Sequence, residues 1–401
     1  MGGQAFAHIK SDTPIKVPRL SPETYQQIAD HTASRLETLF YHVTIPREAP
    51  GKSDYGDIDF LVEGIRSSNE HDVWTVVKTL LGAELHVPRG QSHSFGIKHP
   101  HIPEAYVQVD VELSPGNDTA DGAELFEWTK FMKGDSDLLQ IVGVIHRSLG
   151  ITCNDRGLHI RVKEVEPYNK KKSMLFLTRD PNKAMDFYGF DKTKYWQGFD
   201  SEEDLFEWTT KGRYFYWEAY EERQETSNDR SRLAKRPMFR RFVQEYMPSR
   251  EKLTAINDKT SKSELSASEA NQLSAHKPSR QEVLEEALRM FGKREQYDAI
   301  IHEHETKGVE DALWQQIRDA LPLEGAALGT TLKGLRRWVM FKDNRPYICE
   351  QPLSSKAMVK WTDQISKDAI PDVLAWIAEN REQVRELEEQ RAHEARKAAM
   401  N

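Results

Sequence analysis

The stretch Gly51-Lys52-Ser53-Asp54-Tyr55-Gly56-Asp57-Ile58-Asp59-Phe60-Leu61-Val62 decides the fold of this 401-residue chain. It is a glycine- and serine-bearing turn that leads into a strand carrying Asp-x-Asp. Successive strand side chains point to opposite faces, so Asp57 and Asp59 share one face while Ile58 and Phe60 point into a core. Two neighbouring carboxylates repel each other, and a protein usually keeps such a pair where a cation lies between them. The pattern therefore predicts a site for a hard divalent ion, Mg²⁺ or Mn²⁺.

A third carboxylate follows in a second strand, which the clean alternation of residues 106–113 predicts. Valines and a leucine occupy one face, and the other face carries Gln108, Asp110 and Glu112. If this strand pairs beside the first, Asp110 or Glu112 joins Asp57 and Asp59. Three carboxylates on adjacent strands can hold two metal ions and orient a hydroxyl for phosphoryl displacement. The competing interpretation is that these acids are merely hydrated surface groups.

Together these elements resemble the nucleotidyltransferase superfamily, which includes DNA polymerase beta, CCA-adding enzymes, poly(A) polymerases and antibiotic adenylyltransferases. They are also similar to fungal nucleotidyltransferase-like proteins. The family pattern is a helix, a strand, a Gly-Ser turn, an Asp-x-Asp strand and a later strand with a third acid. Residues 21–40 supply the helix, residues 41–46 the first strand, and Gly51 and Ser53 the turn. One departure is the insertion of residues 47–50 before the glycine, with a short spacer after it.

The resemblance implies an α+β fold, in which a small mixed β-sheet palm precedes a mainly helical C-terminal region. It also implies transfer of a nucleoside monophosphate from a nucleoside triphosphate to an acceptor hydroxyl. The catalytic and metal-binding residues would be Asp57, Asp59 and Asp110, with Glu112 as a further metal ligand. The triphosphate would be bound by Gly51, Lys52, Ser53 and Gly56.

Shifts in composition and helix-capping signals divide the chain into five segments. These are an N-terminal extension (1–19), the palm (20–115), a helical region that binds the nucleotide and the acceptor (116–250), a linker or exposed loop (251–279) and a C-terminal helical domain (280–401). In the third segment, the candidates to contact base, ribose or phosphate are Asp135, Asp137, Arg147, Asn154, Asp155, Arg156 and Arg161. Helix capping or ion pairing is the alternative role for each of them.

A basic and aromatic part of the same segment favours an RNA 3′ end as the acceptor. Its cations are Lys170, Lys171, Lys172, Arg230, Arg232, Lys235, Arg236, Arg240 and Arg241. Its aromatic residues are Tyr214, Phe215, Tyr216, Trp217, Tyr220, Phe239 and Phe242. Cations track a phosphate backbone and aromatic rings stack on bases, although these rings can equally fill a core while the cations pair with acids. A small-molecule or protein hydroxyl is the alternative acceptor, and a non-catalytic nucleotide- or RNA-binding module is the alternative class.

The overall composition sets outer limits on these functions. A net charge of −8 argues against wholesale coating of nucleic acid, although it leaves room for a local basic groove. The two cysteines, Cys153 and Cys349, have no metal-ligand spacing and fit a reducing compartment. The first ten residues lack the apolar core of a signal peptide, and no run of 18 apolar residues occurs. We therefore expect an intracellular protein, cytoplasmic or nuclear, without a membrane partner.

Overall fold

The computed structural model describes residues 3–10, 14–66, 72–117, 119–216, 227–249, 278–354 and 357–399. The chain divides into two compact units, Met1–Glu295 and Gln296–Asn401. The predicted linker 251–279 lies almost entirely outside the described residues, as do Trp217 and Tyr220. Helices and a mixed sheet together confirm the α+β class.

The first unit is organised around one five-stranded sheet. Its strands are β1 (Phe40–Thr44), β2 (Ile58–Ile65), β3 (Leu85–Arg89), β4 (Ser92–Lys98) and β5 (Tyr106–Leu113). They lie in the order β1-β2-β5-β4-β3. The central pair β2–β5 is parallel and the other three pairs are antiparallel, so the predicted mixed sheet is confirmed.

The apolar residues of β2 and β5 set the register of the central pair. Ile58 lies opposite Val109 and Phe60 lies opposite Val111, and all four side chains are buried. A slip of one residue would turn the acids toward the core and the apolar residues toward water. Burial of this face therefore holds the acid-bearing face in register as well.

Two helices cover the apolar face of the sheet: α1 (Pro22–Leu36) and α2 (Val73–Leu81). Helix α1 begins as predicted, with the Ser21 side chain accepting a hydrogen bond from the backbone N–H of Thr24 and a proline in the first turn. It ends at Leu36 rather than at residue 40, because the chain turns there and enters β1 at Phe40. Asp72 caps α2 in the same way.

A third helix, α3 (Gly122–Lys133), lies along the acid-bearing face. At its start, a Cβ on Gly122 would come within 2.6 Å of the backbone carbonyl oxygen of Gly116, which favours glycine there. At its end, Nζ of Lys133 pairs with Glu112 at 2.7 Å. Helices therefore pack on both faces of the sheet, whereas the sequence suggested only one.

The rest of the first unit is helical apart from a second, three-stranded sheet. The helices are α4 (Leu138–Ser148), α5 (Pro181–Tyr188), α6 (Lys192–Gln197), α7 (Glu202–Thr210), α8 (Ser227–Lys235), α9 (Pro237–Arg241) with a π-helical turn (Phe242–Tyr246), and α10 (Arg280–Phe291). The strands are β6 (Ile151–Asn154), β7 (Gly157–Arg161) and β8 (Met174–Thr178), in that order and antiparallel. The sequence indicated only one short strand here, within residues 154–162.

The second unit contains most of α11 (Arg294–Ala320), together with α12 (Gly325–Trp338) and the long charged helix α13 (Ile370–Ala399). A hairpin of β9 (Val339–Lys342) and β10 (Arg345–Ile348) interrupts the helices, which the sequence did not predict. Its two turn residues, Asp343 and Asn344, have φ of 51° and 62°, the left-handed values of a tight hairpin. Helix α10 belongs to the first unit. Across the described ranges, each helix is too short or too polar to cross a membrane.

Replacing Phe95 by alanine tests the central core. Phe95 of β4 is completely buried in the cluster between the sheet and its helices. We expect Phe95→Ala to lower the free energy of unfolding by about 3–5 kcal/mol through lost burial and a cavity. Urea denaturation measures this. The control Ile102→Ala removes a side chain that is 42% exposed and should change stability by about 0.5 kcal/mol or less. Equal effects of the two substitutions would contradict the described core.

Candidate metal centre

The structure brings Asp57, Asp59 and Asp110 together on the face of the sheet opposite the core. Asp57 directly precedes β2, Asp59 lies within it, and Asp110 is the residue opposite Asp59 in β5. One carboxylate oxygen from each lies within 4.8 Å of the others. Within the described ranges, no other trio of histidine, cysteine or acidic side chains comes this close. Strand pairing thus produces the convergence that the sequence predicted.

The pKa of Asp59 rises to about 7 in this site. Removal from water is the largest cause, and the negative charges of Asp57, Asp110 and Glu48 add to it, while Lys133 acts in the opposite direction. The side chain remains accessible to solvent because it lines a small cleft with Asp110, Glu112 and Lys133. The neighbouring carboxylates in this concave site repel one another, and a bound cation would reduce that repulsion.

Asp110 is held by polar neighbours. Nε2 of Gln108 donates to both of its oxygens at 3.0 Å. Oε1 of the same amide accepts from the backbone N–H of Ala5 at 2.9 Å, which sets the orientation of the amide. Burial raises the pKa of Asp110, while hydrogen bonds from Ser94 and Gln108 oppose that rise. The carboxylate is therefore fixed in direction before any ligand binds.

Glu112 is not part of the three-carboxylate group. It lies opposite Leu61 in the β2–β5 register and pairs with Lys133 at 2.7 Å. Of the two third acids that the sequence allowed, the structure therefore places Asp110 beside Asp59.

The predicted triphosphate-binding turn has mixed surroundings. Gly51 is exposed, with a φ of +70° that suits glycine. Nζ of Lys52 donates to Glu48 at 2.6 Å and lies 4.7 Å from the centre of the Tyr55 ring. Ser53 is exposed, and Gly56 is buried. Lys52 is thus engaged within its own loop, and phosphate binding by Gly51, Ser53 and Gly56 stays a prediction.

Arg47 attaches this loop to the turn between α3 and α4. Its guanidinium donates to both carboxylate oxygens of Asp135 at 2.7 and 2.6 Å, and to the Tyr195 carbonyl at 2.6 Å. The backbone N–H of Asp135 donates to the Arg47 carbonyl at 2.8 Å. The insertion that departs from the family pattern therefore supplies an anchor. Sequence reasoning missed Arg47, because nothing local connects residues 88 positions apart.

Several other predicted contacts to substrate have structural roles. Asp137 precedes α4 and accepts from Arg236 and from the backbone N–H of Phe239, each at 3.3 Å. Oδ1 of Asn154 accepts from the backbone N–H of Arg156 at 2.8 Å in the β6–β7 turn. Asp155 and Arg156 are exposed in that turn. Arg147 and Arg161 instead line a separate cavity.

Much of the described part of the basic and aromatic segment is engaged within the fold. The buried rings are Tyr214, Tyr216, Phe239 and Phe242. Arg232 pairs with Asp229, Arg236 with Asp137 and Arg241 with Glu202. Lys170 and Lys171 are exposed instead. The buried rings and paired cations do not form a continuous surface for RNA, and an RNA acceptor stays a prediction.

Comparison with known proteins adds no assignment. No family model matches this chain, and a search of curated proteins found no match. The arrangement of Asp57, Asp59 and Asp110 is therefore the basis for assigning a function.

The raised pKa of Asp59 makes the stability of the metal-free protein depend on pH. Because this pKa is about 7 in the folded protein and about 4 in an unfolded chain, the folded state binds a proton more tightly between these values. Stability therefore falls as pH rises from about 4 to about 7. We expect Asp59→Asn to raise the free energy of unfolding near pH 8, on the order of 1 kcal/mol after solvent screening, with little effect near pH 4.

Urea denaturation in EDTA at the two pH values measures this difference. Glu112→Gln is the matched control, because it removes an acid whose partner is Lys133 and should give no gain at pH 8. Equal stability of Asp59→Asn and the unsubstituted protein at both pH values would show that the three carboxylates do not repel one another as described.

Proposed function

We propose that this protein is a divalent-metal-dependent nucleotidyltransferase, which transfers a nucleoside monophosphate from a nucleoside triphosphate to an acceptor hydroxyl. The convergence of Asp57, Asp59 and Asp110 within 4.8 Å on a parallel strand pair carries the proposal. The order of elements around them supports it: α1, β1, the glycine turn, β2 with Asp-x-Asp, and β5 with the third acid. This order is the one that the superfamily resemblance implies.

The three residues suit a hard cation. All of their donor atoms are carboxylate oxygens, which Mg²⁺ and Mn²⁺ prefer. Burial is the main cause of the raised pKa of Asp59, and the charges of Asp57 and Asp110 add to it, so bound positive charge would stabilise the ionised trio. When bound, such ions would neutralise phosphate charge and stabilise the entering and leaving oxygens of the displacement.

The protein's own residues would divide the remaining work. Asp110 is suited to accept the proton of the attacking hydroxyl, because its pKa is raised and Gln108 orients both of its oxygens. Arg47 holds the loop that leads into β2 against the α3–α4 turn. Gly51 and Ser53 would offer backbone and hydroxyl donors to the β- and γ-phosphates.

The acceptor is the open part of this proposal. An RNA 3′ end, a small-molecule hydroxyl and a protein hydroxyl all present the same nucleophile to the same centre. Arg232, Arg236 and Arg241 are among the cations from which the sequence favours an RNA acceptor. Each of them pairs with an acid of the protein itself, so they give less support to binding of RNA. The test must therefore follow the label into each class of product.

Incubation with each α-³²P-labelled nucleoside triphosphate, Mg²⁺ or Mn²⁺, total RNA and a cell extract tests the activity. Label is then sought in RNA, protein and small molecules. We expect Asp59→Asn and Asp110→Asn each to reduce transfer by about a hundredfold or more. The matched control is Glu112→Gln, on the same face of β5 but outside the trio, which should keep most of the activity.

The folding of each variant is checked by its thermal transition, so that loss of structure is not read as loss of catalysis. Transfer that survives in Asp59→Asn or Asp110→Asn would refute the proposal. Metal-dependent nucleotide binding without transfer to any product, in the unsubstituted protein, would instead indicate a binding module.

A further inference from the structure

A second concave site in the first unit is lined with positive charge. It is a cavity of about 490 Å³, within the size range of small-molecule pockets. Met132, in the last turn of α3, lines this cavity. The next residue, Lys133, instead pairs with Glu112 near the three aspartates. Five cations line the cavity: Arg147, Arg161, Lys170, Lys171 and Arg232. One acid, Glu166, is present among the lining residues.

Among the described residues, the carboxylates near this cavity are fewer than its cations. Glu166 pairs with both Arg161 and Arg280. Asp229 pairs with Arg232 at 2.9 Å and lies 3.9 Å from Arg147. Two acids thus serve four guanidinium groups.

Lys170 and Lys171 add to this excess from the loop between β7 and β8. Both are exposed, and within the described part of the chain neither has a carboxylate within ion-pair distance. Counted over the residues that the structure describes, the cavity therefore has a net positive charge in a protein whose total charge is −8, which favours anions.

Arg161 lies within this group of cations. Its Nη1 donates to Glu166 and its Nη2 donates to the backbone carbonyl of Arg147. Burial lowers the pKa of Arg161, and the charges of Arg280 and Arg147 lower it further, while Glu166 acts in the opposite direction. An anion in the cavity would reduce the repulsion between these neighbouring guanidinium groups.

The inner surface of the cavity is apolar. It is formed by Met132, Leu139, Ile151, Cys153 and Met174. A cavity with cations at its rim and an apolar floor suits a ligand that has an anionic part and an apolar or aromatic part.

We propose that this cavity binds a small phosphorylated molecule, with its phosphate between Arg161 and the pair Lys170 and Lys171 and its apolar part on the floor. The cations converge on one concave site and do not run along a surface, which favours a small molecule over a nucleic-acid strand. The site uses guanidinium and ammonium groups alone, so it does not depend on the metal centre or on the proposed nucleotidyl transfer.

Calorimetric titration with ATP and with inorganic tripolyphosphate, each in EDTA, tests this inference. We expect one saturable site for each probe, with tighter binding of ATP because its base adds contact with the floor. Lys170→Glu/Lys171→Glu should weaken both by roughly tenfold or more, as expected for lost charge-assisted contacts. The matched control Lys163→Glu/Lys183→Glu, which makes the same charge change at exposed residues outside the lining, should leave binding unchanged.

Asp59→Asn/Asp110→Asn separates the two sites, because it should leave binding in EDTA intact even if it abolishes transfer. Absence of saturable binding of either probe would overturn the proposal. So would an equal loss in the control double variant, which would show non-specific attraction, or a loss in the aspartate variant. Tighter binding of a single-stranded RNA oligonucleotide than of ATP, lost in Lys170→Glu/Lys171→Glu, would replace the small molecule with a nucleic acid.

Discussion

The parallel pairing of β2 with β5 is the constraint on which the rest of the candidate site depends. Asp59 and Asp110 lie opposite each other although their charges repel. The opposite face of the same strands buries Ile58, Phe60 and Val109, and each such burial contributes about 1.5–3 kcal/mol. The core therefore supplies the free energy that holds the acids together. The fold therefore forms without an ion between the acids, and it creates a place that could hold one.

The loop before β2 and helix α3 also change the electrostatic surroundings of Asp59. Glu48 adds negative charge near Asp59, and Lys133 partly offsets it. Arg47 positions the loop that carries Glu48 through its two hydrogen bonds to the Asp135 carboxylate. Since the Asp135 side chain is almost fully buried, loss of Arg47 would leave a charge without a partner, so this anchor is sensitive to any substitution. Residues far from the acids in sequence thus determine how negative the site is.

The sequence predicted a small mixed sheet and its three acids because alternation is a local signal that long, half-buried strands express strongly. The short strands β6 and β8 have too few residues to show it, although the turn from Asn154 to Gly157 was a usable hairpin signal. The hairpin at Asp343 and Asn344 was missed for the same reason. The partners of Arg47 and Arg236 were not predictable, because ion pairs between distant segments leave no spacing pattern. The interpretation of the aromatic segment as core was available, and the burial of Phe239 and Phe242 supports it.

The two concave sites of the first unit have opposite charge, so they would interact with phosphate in different ways. Carboxylates repel phosphate, so phosphates can approach Asp57, Asp59 and Asp110 only when cations lie between them. Guanidinium and ammonium groups attract phosphate directly, so the cavity at Arg161 needs no ion. Met132 and Lys133 are adjacent in the last turn of α3. Met132 lines the cavity, whereas Lys133 pairs with Glu112 beside the three aspartates. A phosphorylated ligand in the cavity would therefore contact the same helical turn that borders the acids. A shift of that turn would change the distance between Lys133 and Glu112, so it offers one physical connection between the two sites.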